Sequence, residues 1–136
     1  MKLKITRDSS ANYKILKKLV EDNFIELYDV PLEENSREYT KTKNKVLPIG
    51  VFGYSRFGES IFSDDSSIYK RLVDLIGKNN IKDCILLEAH YRNGNDYFVT
   101  EDKNDILNNK EILFSLFGIK VIHTEDLDKN FFVGLR

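Results

Sequence analysis

Four aspartates carry the strongest chemical signal in this chain. Asp8 follows a short β-type run, Asp102 stands just past Tyr97-Phe98-Val99-Thr100, Asp105 lies in the loop after it, and Asp83 opens the apolar stretch Asp83-Cys84-Ile85-Leu86. Glu34 and Glu38 are one helical turn apart, so a helix would project both from the same face. Carboxylates that converge without matching cations repel one another, and a hard divalent cation with oxygen ligands relieves that repulsion. Magnesium or manganese suits such a set. Held by two or three carboxylates and otherwise by water, it keeps positions open for a phosphate and can activate a bound water. Each acid alone also has an ordinary reading. Asp8 would cap a helix, Asp83 would complement a helix dipole, Asp102 and Asp105 would be turn residues, and Glu34 and Glu38 would form a solvated face. A shared place at one rim of one sheet is what favours the ion.

The apolar pattern puts them at such a rim. Leu3 and Ile5 alternate within Lys2 to Thr6, a short strand ended by the capping residues Arg7-Asp8-Ser9-Ser10. Tyr13, Leu16, Leu19 and Val20 repeat at helical spacing as far as about Glu21. The run Phe24 to Val30 is rich in β-formers, and Pro31 stops it and opens a second helix. From Lys41 to about Asp65 no period holds. A helix then carries Ile68, Leu72, Leu75 and Ile76 to Gly77, and another runs from near Ile81 to Asn93-Gly94 with Ile85, Leu86 and Ala89 inward. Tyr97 to Thr100 is a short apolar strand, Asn108 to Phe117 a helix capped by Gly118, and Ile119 to His123 a last strand. Strands alternating with helices imply an α/β fold, a three-layer α/β/α sandwich around a mostly parallel sheet. In such sheets, sites form at the carboxyl ends of the strands.

Composition narrows the partners. The 136 residues, 41% hydrophobic and 32% charged, form one domain spanning 1–136, and the single Cys84 fits a reducing, cytoplasmic setting. No apolar stretch approaches the roughly 20 residues of a membrane helix, and no signal-peptide pattern opens the chain. With 21 basic against 22 acidic side chains the net charge is -1, so no global field holds a polyanion. Phosphate binding must be local.

Residues Asp83-Cys84-Ile85-Leu86-Leu87-Glu88-Ala89, Asn93-Gly94-Asn95-Asp96, Tyr97-Phe98-Val99-Thr100-Glu101-Asp102-Lys103 and Gly118-Ile119-Lys120-Val121-Ile122 together resemble the PIN-domain family of metal-dependent ribonucleases. They are similar to its acid-bearing helix, its Gly-x-Asp turn, its strand ending in Val-Thr-x-Asp and its closing strand. Asp83 precedes Asp96 by 13 positions and Asp102 by 19, as the family pattern asks. Lys4 to Ser10 looks like the first strand ending in Asp and a hydroxyl residue, and Pro31 to Tyr39 like the helix that supplies a Glu. The resemblance implies a PIN-like fold with Asp8, Asp83 and Asp102 as metal-binding carboxylates, Asp105 as auxiliary, and Glu38, or else Glu34, as the helix acid. It implies that Thr100 and Ser9 or Ser10 orient a carboxylate or water. It further implies hydrolysis of single-stranded RNA to 5′-phosphate and 3′-hydroxyl ends by an endoribonuclease using Mg2+ or Mn2+. The size matches the toxin half of a toxin-antitoxin pair, whose partners would be a cognate antitoxin protein and, in a homodimer, a second copy.

Lys41, Lys43, Lys45 and Arg56 are candidates for the local positive charge that RNA needs, and Tyr54 or Phe57 for stacking on a base. The alternatives are a solubilising surface for the lysines and a core role for Phe52 and Phe57. Cys84, His90 and His123 read as structural. Two rivals remain: a PIN-like module without catalysis that binds RNA or a protein, and a receiver-like phospho-switch. The switch would need adjacent acids after the first strand, where Arg7-Asp8-Ser9 offers one.

Overall fold

The computed structural model describes residues 2–8, 10–30, 44–46, 67–127 and 131–132. Its elements are β1 (Leu3–Arg7), α1 (Tyr13–Glu21), β2 (Ile25–Asp29), β3 (Asn44–Lys45), α2 (Ser67–Ile76), α3 (Ile81–Asn93), β4 (Tyr97–Thr100), α4 (Lys110–Phe117) and β5 (Val121–His123). The helix expected after Pro31 and most of the aperiodic segment lie outside the described residues. The edge strand β3 is an exception that the sequence pattern did not announce.

Among the described residues every strand pair is parallel, and the five strands are ordered β3-β2-β1-β4-β5. The order reverses at β1, which has β2 on one side and β4 on the other. Chains leaving the carboxyl ends of β1 and β4 therefore turn to opposite faces and open a crevice between them, the usual place for a ligand in such sheets.

Strand alternation divides the core in two. Ile5, Ile25, Leu27, Val99 and Ile122 pack with Leu16 and Leu19 of α1 on one face. Tyr28, Phe98 and Val121 pack on the other with Leu72 of α2, Ile85 to Leu87 of α3 and Leu113 of α4. The chain is thus α/β with helices against both faces of a parallel sheet, an arrangement compatible with a three-layer sandwich. No helix among the described residues is long and apolar enough to cross a membrane.

Local chemistry sets the element ends. The cap of α1 is Asn12, not a residue of Arg7 to Ser10: its Oδ1 accepts the Lys14 and Ile15 N–H groups at 3.0 and 3.4 Å. Asp8 is still held in the strand ladder, its N–H bonding Val99 O of β4 at 3.0 Å, and its carboxylate accepts from Ser10 and Thr100 instead of from the first turn of α1. Gly94 and Gly118 end α3 and α4 at φ 68° and 71°, the left-handed turn that glycine adopts without strain. Asp96, in the turn before β4, holds that strand to β1: its N–H bonds Lys4 O at 2.7 Å and its Oδ2 accepts the Lys4 N–H at 2.8 Å.

Helix α3 is buried at every position from Cys84 to His90, so it has no polar stripe there. Burial pushes the Cys84 thiol up to about 12, which leaves it protonated and inert. The polar groups in this helix find partners instead of water. Glu88 pairs with Arg92 at 2.9 Å. His90 Nδ1 lies 2.7 Å from Thr6 Oγ1 of β1, which also accepts from Asn95 Nδ2 at 2.8 Å, and its ring meets Phe98 edge-on. Burial lowers the His90 pKa to about 4, against a smaller opposing pull from Asp96.

His90 is neutral in the fold and takes a proton in the unfolded chain below its ordinary 6.5. Stability should therefore be lost as pH falls from 6.5 to about 4, by roughly 3 kcal/mol from this group. His90→Asn, which retains a polar atom near Nδ1, should flatten that part of the pH profile by one proton in urea titrations; an unchanged slope would exclude His90 as its source.

Candidate metal site

The crevice between β1 and β4 receives four acids from three separate parts of the chain. Asp8 arrives at the end of β1, Asp102 and Asp105 in the loop after β4, and Asp83 in the first turn of α3. Each placement has a local cause. Asp102 Oδ1 accepts the N–H groups of Asn104 and Asp105, both at 3.1 Å, which curls the loop so that Asp105 returns toward Asp102. Asp102 O also takes the Leu107 N–H at 3.0 Å and closes the curl.

Asp83, Asp102 and Asp105, all half-buried, each offer an oxygen within 4.8 Å of the others. Oxygens sharing one ion at about 2.0–2.6 Å are separated by no more than about 5 Å, so this spacing fits a single divalent cation. The donors are carboxylates only. Such a set suits a hard ion such as Mg2+ or Mn2+, whereas a zinc site would draw on thiolate or imidazole. Cys84 and His90 are engaged in the core and supply neither.

Asp8 stands beside this trio rather than within it. Asp8 is only 4% exposed, and its Oδ2 accepts hydrogen bonds from Ser10 Oγ and Thr100 Oγ1, both at 2.7 Å. The same two hydroxyls accept main-chain N–H groups, Ser10 from Glu101 and Thr100 from Asp102, each at 3.0 Å. With one proton apiece committed to Asp8, they link the β1 carboxylate to the β4 loop. Glu101 is held in turn by Thr124 past β5, whose Oγ1 donates to Oε2 at 3.2 Å.

The electrostatic consequence falls on Asp83. Burial raises its pKa most, the negative charges of Asp8, Asp102 and Asp105 add to that, and Lys82 opposes; the carboxyl is pushed up to about 7. A cluster that holds a proton near neutrality is one that a divalent ion can discharge.

Of the residues singled out in the sequence, Asp83, Asp102 and Asp105 meet, Asp8 adjoins them, and Thr100 and Ser10 bond Asp8. Ser9, Glu34, Glu38, Lys41, Lys43 and Arg56 lie outside the described residues, and Lys45 is described only as backbone in β3. His123 caps the turn after β5, its Nδ1 accepting from Glu125 N–H at 3.1 Å. Sequence reasoning missed Arg7 and Asp29. The signal was present: in Leu3, Ile5, Arg7 and in Ile25, Leu27, Asp29 an inward alternation ends on a charge, with opposite signs on neighbouring strands.

Because Asp83 is protonated in the fold and ionised in the unfolded chain between its ordinary 3.8 and about 7, the metal-free protein gains stability from this group as pH falls through that window. The repulsion is unrelieved above pH 7. Asp83→Asn should therefore raise the thermal midpoint of the metal-free protein at pH 8 and change it little at pH 4.5. Equal effects at both values would show that the acids do not interact.

No family model matches this chain, and no curated protein or solved structure is found to be similar to it.

Proposed function

We propose that this chain is a PIN-like endoribonuclease, dependent on Mg2+ or Mn2+, that hydrolyses phosphodiester bonds of single-stranded RNA. The observation that carries the reading is the meeting of Asp83, Asp102 and Asp105 beside Asp8 at the reversal of the sheet. These are the acids on which the sequence resembles that family. A bound ion would supply charge neutralisation at the scissile phosphate and a more acidic water. Asp83, Asp102 and Asp105 would hold it. Asp8, its Oδ2 fixed by Ser10 and Thr100, would accept hydrogen bonds from water at the site with its other oxygen. Glu38 or Glu34 would complete the acidic set, and Lys41, Lys43, Lys45 and Arg56 would contact RNA phosphates. On this reading the protein acts in the cytoplasm as the toxin of a toxin-antitoxin pair.

Incubation of end-labelled single-stranded RNA with the purified protein and Mg2+ or Mn2+ should give internal cleavage that a chelator abolishes. Asp83→Asn and Asp102→Asn should each lower the rate by roughly 100-fold or more, the loss typical when metal affinity is disturbed. Full activity in Asp102→Asn would overturn the assignment. Absence of both cleavage and calorimetric Mn2+ binding at millimolar concentration would favour the catalytically inactive RNA- or protein-binding module.

A further inference from the structure

The most deeply buried charges among the described residues lie outside the acidic cluster. Arg7, the last residue of β1, and Asp29, the last of β2, are both 0% exposed. Arg7 Nε donates to Asp29 Oδ1 at 2.9 Å and Nη2 to Oδ2 at 3.3 Å, a two-point fork. The guanidinium carbon also lies 5.0 Å from the centroid of the Tyr13 ring, the first residue of α1.

We propose that this buried pair is a positioning device for the carboxylate site, clamping both ends of the loop that carries Asp8 and Ser10. This inference rests on the metal-site reading given above. The loop runs from Asp8 to Asn12. Its first residue follows Arg7 directly, and its end leads into Tyr13, so one guanidinium holds both points of attachment. Alternation along β1 sends the Arg7 side chain to the α1 face, opposite Thr6, which bonds His90 of α3. The pair therefore acts on Asp8 through the backbone and not by contact.

Desolvation explains why stability is a poor account of these charges. An ion pair removed from water regains little more than the solvation it loses, and apolar residues of like volume are commonly as stable in its place. What apolar residues lack is direction. A bidentate fork fixes β1 against β2 one row past the last ladder pair, Thr6 and Tyr28, and Asp8 follows Arg7 directly.

The test uses the full chain in the variant Arg7→Met/Asp29→Leu, with Mn2+ as the probe. The variant should fold with a thermal midpoint near or above that of the parent when metal-free, and bind Mn2+ about 10- to 100-fold more weakly by calorimetry or electron paramagnetic resonance. Leu19→Ala, which opens a cavity in the same core, should lower the midpoint and leave Mn2+ affinity unchanged. Should the double variant fail to fold, Arg7→Lys decides, because it keeps the charge but loses the fork and should weaken Mn2+ binding likewise. Parental affinity in either folded variant overturns the positioning role alone. A parent protein that binds no Mn2+ at millimolar concentration overturns the metal-site reading, and the positioning role with it.

Discussion

Mutual repulsion of carboxylates in a partly dry crevice is the constraint on which the site's organisation depends. Asp8, Asp83, Asp102 and Asp105 would separate if the chain were free to let them. They stay together because each is fixed by backbone that serves another purpose: the end of β1, the end of β4 with its curled loop, and the first turn of a helix buried from Cys84 to His90. Repulsion is then met by protonation, as at Asp83, or by donated hydrogen bonds, as at Asp8. A multivalent cation answers it more completely than either, because it serves several carboxylates at once.

The hydrogen bonds around Asp8 show how the fold prepares for charge. Ser10 and Thr100 each accept an N–H from the β4 loop and give their proton to one oxygen of Asp8. These donors serve one oxygen of Asp8, whereas Asp83, in the same cluster, is set among like charges in a partly buried position. Two carboxylates of the same chemistry thus meet the repulsion differently: one is supplied with hydrogen-bond donors, while burial first and like charges second raise the pKa of the other.

Much of this was legible in the sequence. The strand at Tyr97–Thr100 and the helix ends at Gly94 and Gly118 follow from short-range rules of periodicity and left-handed turns, so the α/β class and the rim on which Asp8 and Asp102 fall could be read from spacing alone. Helix α3 was legible in position but not in depth: an unbroken buried run from Cys84 to His90 has no amphipathic signature. The cap at Asn12 was missed because Asp8 and Ser10 are equally good capping types. Which of them is free to cap depends on the ladder to Val99, a contact made 91 positions away. Arg7 and Asp29 were missed for a similar reason, since each is an ordinary charged residue until its neighbour across the sheet is known.

That last pair bears on why the site is built on adjoining strands at all. A parallel ladder restrains a strand along its length but releases it at the end, where the chain must turn and where functional residues sit. At β1 the release is checked on three sides: Asp8 N–H still bonds Val99 of β4, Arg7 forks to Asp29 of β2, and the guanidinium rests on Tyr13 as the chain enters α1. At β4 the corresponding check is the loop's own curl about Asp102 Oδ1, together with the tie from Thr124 to Glu101. The two ends are then joined by Ser10 and Thr100. A rim restrained in this way can keep like charges near one another without a metal present, and an ion would meet ligands already placed, with little ordering left to oppose binding.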